Sequence, residues 1–229
     1  IEFIESGWDI KQLMKLMLTS ATYRQSSQVK REVLALDPEN RLLSRGPRFR
    51  LDAEMLRDQA LSVSGLLRGD IGGPSVKPPQ PDGLWYAVAI TGSNTARFVK
   101  DEGAEKVHRR SLYTFWKRTS PPPQMNILDA PSRETCTVRR ERTNTPLQAL
   151  MLMNDPQYVE AARVFAERVM KEGGQTEKEK LIYAFELATA RQPDEEESEV
   201  LLSTFRAHLE EFNANHEEAE SLIQIGELP

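Results

Sequence analysis

Apolar residues along this chain recur mostly at helical rather than alternating spacing, so the pattern predicts a mainly α-helical protein. Asp9, followed three residues later by Gln12, is typical of a helix start. A second helix is predicted over residues 51–67. Its apolar face is expected to contain Leu51, Met55, Ala60, Val63 and Leu67.

The C-terminal half carries the clearest helix signals. Thr145 and Gln148 are spaced as in a capping box, with a proline at the first helical position between them. Three further starts of this kind follow, each with Asp or Thr at the capping position. They predict amphipathic helices that pack together, over residues 155–172, 177–190 and 195–213.

Two segments have a strand-like composition. Residues 85–90 and 110–116 are rich in aromatic and β-favouring residues, and they predict at most a small antiparallel β-ribbon. Four prolines and three glycines between Gly72 and Gly83 exclude a regular element there. The expected fold class is therefore mainly α, an irregular helical domain with long Pro/Gly-rich loops and at most that ribbon.

We interpret residues 1–229 as a single domain that is a piece of a larger protein, because the chain begins at Ile1 and its first residues already have a structured pattern. N-terminal helices are assigned to residues 1–70, an irregular loop region to 71–144 and C-terminal helices to 145–229. No run of about 18 apolar residues occurs, so no membrane span is expected.

Charge is distributed unevenly along the chain. The net charge is −5, but residues 171–229 contain 15 acidic and 5 basic residues, whereas residues 1–170 contain 20 acidic and 25 basic residues. A nucleic-acid-binding domain is usually basic throughout or carries a dense basic stripe. We therefore expect no nucleic-acid partner.

Three histidines and one cysteine offer few candidates for chemistry. Their spacing matches no metal site, so no metal and no cofactor are expected, and no catalytic residue is assigned. Cys136 is the candidate reactive thiol, because neighbouring arginines favour the thiolate, and His108 is the base available to it. The alternative is that Cys136 is a small, partly buried residue packed beneath the surrounding loop.

Arginines are concentrated in the irregular region. Guanidinium groups make bidentate contacts with carboxylate, phosphate or sulfate. One interpretation is an anion site near the helix start at Thr145, where free amides attract negative charge. The other is an internal network with the interleaved acids Asp129, Glu134 and Glu141. The candidate anion-binding residues are Arg110, Arg133, Arg139, Arg140 and Arg142.

The segment from Asp129 to Asn154 resembles the signature of a planctomycete-type domain of unknown function, as do residues 19–27, 45–54 and 110–118. Such domains stand at the C-terminal end of large multidomain proteins that often carry a cytochrome-c-like module. The resemblance implies an exported or periplasmic parent protein and supplies no catalytic residues. It also implies a further C-terminal helix, without which apolar surface near Leu222 to Leu228 lacks its cover.

Two functional hypotheses remain open. The first is a non-catalytic interaction or scaffold domain of an exported multidomain protein, whose partners are the other domains of that protein. The alternative is an enzyme or an anionic-polysaccharide-binding domain that uses the loop from Arg133 to Arg142. The arrangement of the arginine side chains discriminates between them, because a scaffold pairs them inward and a binding site leaves them in an open cleft.

Overall fold

The computed structural model describes residues 1–90, 92–93 and 95–228. Within these ranges the regular structure is helical, apart from two isolated β-bridges. The chain divides into two compact units, of which the first comprises Ile1–Arg50 and the second begins at Leu51. The helices are α1 (Glu2–Glu5), α2 (Ile10–Thr19), α3 (Arg31–Leu36), α4 (Ala53–Ser64), α5 (Leu84–Ala87), α6 (Ala104–Val107), α7 (Pro123–Ile127), α8 (Pro146–Asn154), α9 (Pro156–Glu172), α10 (Glu177–Thr189), α11 (Glu195–Ala214) and α12 (His216–Ile223).

The first unit contains α1 to α3, and none of these helices has a fully buried residue. Asp9 caps α2 as predicted, accepting a hydrogen bond from the Gln12 amide at 3.0 Å. Asp37 is buried, and its carboxylate accepts the amides of Arg41 at 2.7 Å and Leu42 at 2.9 Å. Caps and polar turns therefore organise this unit more than buried apolar side chains do.

The predicted helices of the C-terminal half are confirmed, with ends that differ by at most one residue. Thr145 accepts the Gln148 amide while the Gln148 side chain accepts the Thr145 amide, which closes the capping box of α8. Asp155, Thr176 and Asp194 cap the next three helices. As predicted, α9 packs against α10, and α10 packs against α11.

The predicted buried face of α4 is correct only in part, since Ala60 and Leu67 pack against the core clusters as expected. Met55 is 57% exposed, whereas Ala53, Arg57 and Leu61 are buried one helical turn apart. This face packs against α9, α7 and the 3₁₀ turn Ser111–Tyr113. The buried face of α4 includes an arginine because it packs against irregular backbone that offers carbonyl oxygens. An apolar side chain at this position would leave those carbonyls without hydrogen-bond donors.

The predicted β-ribbon does not form. Residues 84–87 form α5, and Ser111–Tyr113 form a 3₁₀ turn. Residues 110–116 do not pair with residues 85–90. Instead, Thr114 forms a single parallel β-bridge with Val76. Trp85 is buried against two phenylalanine rings at centroid distances of 5.2 and 5.5 Å. The aromatic residues that suggested strands therefore anchor an irregular segment.

The core of the second unit consists of two apolar clusters along the face of α4 that packs against α9, one at Ala53 and the other at Leu61. The first cluster contains Ala53, Met125, Leu128, Met151 and Tyr158. The second contains Leu61, Leu66 and Ala161.

Candidate functional site

Arg57 links three parts of the second unit from the inner face of α4, where it is 2% exposed. Its Nε donates to Gln157 Oε1 on α9 at 2.7 Å, Nη1 donates to the carbonyl of Arg109 at 2.9 Å, and Nη2 donates to the carbonyl of Val107 at 2.5 Å. Burial lowers the pKa of Arg57, and the charge of Asp58 opposes this shift. Because its donors are used by the protein itself, Arg57 acts as an internal anchor.

Arg109 holds the Pro/Gly-rich loop in a similar way. Its guanidinium donates to the carbonyls of Pro74 at 2.9 Å, Asp70 at 3.3 Å and Gly72. It also lies 3.8 Å from the centre of the Tyr113 ring. These contacts explain how a segment without regular structure keeps its backbone carbonyls satisfied.

His108, the base considered for Cys136, is buried beside Glu160. Nε2 lies 3.1 Å from Glu160 Oε2, and both side chains are 4% exposed. The other carboxylate oxygen accepts the amides of Glu227 at 2.8 Å and Leu228 at 3.0 Å. Burial acts to raise the pKa of Glu160, but the hydrogen bonds from His108 and from the two amides lower it below its usual 4.5. The pair ties the C-terminal segment to α9.

Three of the candidate arginines converge on the start of α4. Arg140 donates to both carboxylate oxygens of Glu54, at 2.6 and 3.3 Å. Arg142 Nε lies 3.3 Å from Asp52, and Arg133 lies 3.9 Å from Glu54. Carboxylates are favourable at a helix N-terminus, so the same acids stabilise α4 and hold the loop.

Two acids that hold these arginines, Asp52 and Glu54, lie outside the predicted set of Asp129, Glu134 and Glu141. Asp129 accepts the Thr143 amide at 2.7 Å and the Gln148 side chain at 3.3 Å. Glu134 lies 3.2 Å from Arg118. The ion pairs with Asp52 and Glu54 therefore connect the loop to α4, whereas that of Glu134 lies within the irregular region.

The structure does not bring all five candidate arginines together. Arg110 and Arg139 are exposed, and among the described residues no ion pair joins either of them to Asp52 or Glu54. The three side chains that do converge are 35–44% exposed. This is the geometry of a partly exposed clamp, and the anion site stays a prediction.

Cys136 is exposed, so the expectation that it packs beneath the loop as a partly buried residue is wrong. His108 faces Glu160 in the core. The assignment of Cys136 as a reactive thiol stays a prediction.

An apolar groove of about 1200 Å³ lies beside α9 and is called here the α9 groove. On α9 it is lined by Val159, Ala162, Ala166 and Met170, which recur every three or four residues and so share one helix face. These positions extend over about 16 Å of helix, or three turns. The small side chains stand in the middle of this face, and the larger ones stand at its ends.

The other sides of the α9 groove come from α8 and α12. Met153 of α8 is 76% exposed, Met170 of α9 is 63% exposed and Ile223 of α12 is 57% exposed. The expected apolar surface near Leu222 is therefore present. A group of large apolar side chains that are exposed together usually marks a site where another molecule binds.

The two helical edges of the α9 groove differ in charge. On α9, Glu167 lies 3.4 Å from Arg163 and 3.9 Å from Lys171, so acid and base stand together. On α12 three acids occur without a lysine or arginine, and within the described part of the chain none of them forms an ion pair. These acids are Glu217, Glu218 and Glu220.

A protein-family model described as PSD1, a protein of unknown function (DUF1553), matches residues 1–205. The chain belongs to this family. The matched residues include α8 and α9, whereas α12 lies beyond them. No curated protein and no solved structure matches this PSD1 chain.

In the described ranges of the PSD1 chain, no group of three His, Cys, Asp or Glu side chains is placed to hold a metal ion. Nor is any described helix both long and apolar enough to cross a bilayer. A second apolar depression, of about 540 Å³, lies between α8 and residues 79–81. It exposes Leu147 and Leu150, so α8 presents apolar side chains on more than one side.

Proposed function

We propose that this PSD1 chain is a non-catalytic interaction domain, which binds another protein domain through the α9 groove. The observation that carries the proposal is the exposure of Met153, Met170 and Ile223, from three different helices, around one concave surface. Burying a side chain of this size stabilises a complex by about 1.5–3 kcal/mol. A partner that covers all three therefore has a substantial driving force.

The placement of the candidate catalytic groups supports a non-catalytic role. A general base must come within hydrogen-bond reach of the substrate proton. His108 is in the core against Glu160, and Cys136 lies on the surface. Neither residue lines the α9 groove.

The alternative function, an enzyme or an anionic-polysaccharide-binding domain that uses the loop from Arg133 to Arg142, receives less support. Arg140 and Arg142 already contact carboxylates of α4. A sulfate or uronate group would have to compete with Glu54 and Asp52 for these donors, which are close and fixed on the same protein.

The family resemblance extends the proposal to the whole protein. We infer a planctomycete-type parent protein that is exported and multidomain, with a cytochrome-c-like module, and whose other domains are the first candidate partners of the α9 groove. The apolar groove supports a partner domain. Fractionation of the cells that make the protein tests export, and recovery only in the cytosol contradicts it.

The direct test is photocrosslinking of the natural full-length protein in its own cells. A benzoylphenylalanine replaces Met170 in the α9 groove, and the control places it at Leu112, which is 68% exposed outside the groove. We expect position 170 to crosslink to one defined peptide, identified by mass spectrometry and derived from another domain of the same protein or from a second protein, and position 112 to give none. Adducts of equal yield at both positions, or none at position 170, contradict the proposal.

A further inference from the structure

We infer that the occupant of the α9 groove is a basic amphipathic helix, an inference that rests on the proposed function. The apolar face of such a helix fills the groove, and its lysines or arginines lie along the edge formed by α12. The argument depends on the shape of the α9 side and on the charge of the α12 side.

The shape of the α9 side suits a helix. Val159 and Met170 stand at the ends of a three-turn apolar face, and Ala162 and Ala166 stand between them. Two helices pack with axes about 8–10 Å apart, and small side chains at the crossing allow the closer distances. An occupant helix of about three turns therefore matches the available length.

The charge of the α12 side selects the basic partner. Leu222 lines the groove, and Glu218 stands one turn before it, so Glu218 lies on the same face of α12 just beyond the apolar lining. The three glutamates of α12 have no ion-pair partner among the described residues, whereas the acid on the α9 edge, Glu167, is already paired with Arg163 and Lys171. Lysines or arginines of a partner can therefore form ion pairs with the acids of α12. This helix lies in the region from residue 171 onward, which contains 15 acidic and 5 basic residues.

Other occupants fit less well. An extended peptide is usually held by the open edge of a sheet, and among the described residues no strand borders the groove. An anionic membrane surface attracts basic protein segments, whereas this edge is acidic. A second copy of the chain would bring its own acidic α12 to the contact.

The probes are two amphipathic peptides of about four helical turns, one built from leucine and lysine and the other from leucine and glutamate. Binding to the folded protein is measured by fluorescence anisotropy. We expect the leucine–lysine peptide to bind at least about tenfold more tightly than its glutamate counterpart. Equal affinities contradict the inference that the occupant is basic, but they do not contradict the proposed binding of a partner domain through the groove.

Matched variants locate the binding site. Ala166→Gln places a polar side chain in the groove, and Ala207→Gln makes the same change on the exposed surface of α11. We expect the first to weaken binding of the leucine–lysine peptide by about tenfold or more and the second to leave it within about twofold. Equal effects of the two variants show binding outside the groove and overturn the inference.

A second pair of variants tests the charge. The triple change Glu217→Gln, Glu218→Gln and Glu220→Gln removes the acids of α12. Its control removes three acids from α11, through Glu195→Gln, Glu196→Gln and Glu199→Gln. We expect a several-fold loss of affinity from the first triple only, and this loss should shrink at about 1 M salt because exposed charges are screened there.

The same variants report on self-association. Sedimentation velocity of the protein alone is expected to show no concentration-dependent dimer that Ala166→Gln abolishes. Such a dimer assigns the groove to a second copy and overturns the inference. Equal losses from both glutamate triples also overturn it, because they show general attraction to an acidic protein.

Discussion

At the scale of single residues, the second unit depends on ionisable side chains that satisfy backbone groups in its interior. Arg57 donates to the carbonyls of Val107 and Arg109, and Glu160 accepts the amides of Glu227 and Leu228. A buried polar group without a partner costs about 1–3 kcal/mol. Substitution of either side chain should therefore destabilise segments that are distant from it in sequence.

Glu160→Gln is expected to lower the free energy of unfolding near pH 7 by roughly 1–3 kcal/mol, since it removes a charged acceptor. The pKa of Glu160 is lowered in the folded state, so its contribution is full above about pH 4.5 and is lost as the pH falls through the lower, folded-state value. Thermal melting from pH 7 to pH 3 should show the gap between parent and variant narrowing below pH 4.5. A gap of constant size across this range contradicts the assignment.

Arg57→Lys is expected to destabilise the fold by about 3 kcal/mol, because one ammonium group cannot replace a planar fork that reaches Gln157 and two carbonyls. Arg110→Lys, at an exposed position, is the matched control and should change stability by less than about 0.5 kcal/mol. Urea unfolding measures both. Similar midpoints for the two variants would show that Arg57 is not an anchor.

At the scale of elements, the arginines of the loop formed by residues 133–142 clamp this loop to the N-terminus of α4. Its strongest contact is the bidentate pair of Arg140 and Glu54, and this hydrogen bond raises the pKa of Arg140. Because the arginine side chain is 35% exposed, the pair stabilises less than a fully buried one would.

Arg140→Ala should therefore reduce stability by about 1 kcal/mol, whereas Arg139→Ala, at an exposed neighbour, should have almost no effect. Thermal melting is measured in buffer and with a heparin-like polymer. If the polymer stabilises the parent and Arg140→Ala abolishes this without changing stability in buffer, the loop is an anion site and the clamp is refuted.

Helix ends were predictable because their signals are local. Thr145, Asp155, Thr176 and Asp194 each cap a helix through the amide two or three residues ahead, so the sequence alone contains both partners. The family resemblance of the Asp129–Asn154 segment was likewise visible in the sequence, and the family match confirms a domain of unknown function.

The long-range contacts of the arginines were not predictable in the same way. Arg57 meets carbonyls about 50 residues away, and Arg140 meets Glu54 across 86 positions. The available signal was the position of Arg57, one helical turn from both Ala53 and Leu61, which indicates a buried face that includes a cation. Apolar periodicity alone selected Ala60 and Leu67 correctly, but it also selected the exposed Met55.

The α9 groove was also missed as a site. The spacing of apolar residues in α9 predicts a buried stripe of Tyr158, Ala162, Phe165 and Val169. Tyr158 and Val169 are indeed buried, whereas Ala162 lines the groove. A second stripe through Val159 and Met170 runs beside it. Two adjacent apolar stripes are wider than one packed face requires, and this excess width was the signal for a second contact surface.

At the scale of the second unit, apolar exposure and acidic charge occur together at the C-terminal end. The α9 groove borders α12, which contributes apolar lining and carries three glutamates that form no ion pair within the part of the chain that the structure describes. Apolar contact gives affinity to such a surface, while charge selects the partner and its orientation. The two properties together define a binding surface more narrowly than either does alone.

Hydrogen–deuterium exchange, measured with and without a saturating amount of the leucine–lysine peptide, tests this account most directly. We predict slower exchange in residues 150–155 at the end of α8 and in residues 216–228, which form α12 and the segment after it, because both border the groove. Slowing confined to α11 or to residues 133–142, or no slowing at all, would contradict the claim that the α9 groove is the binding surface.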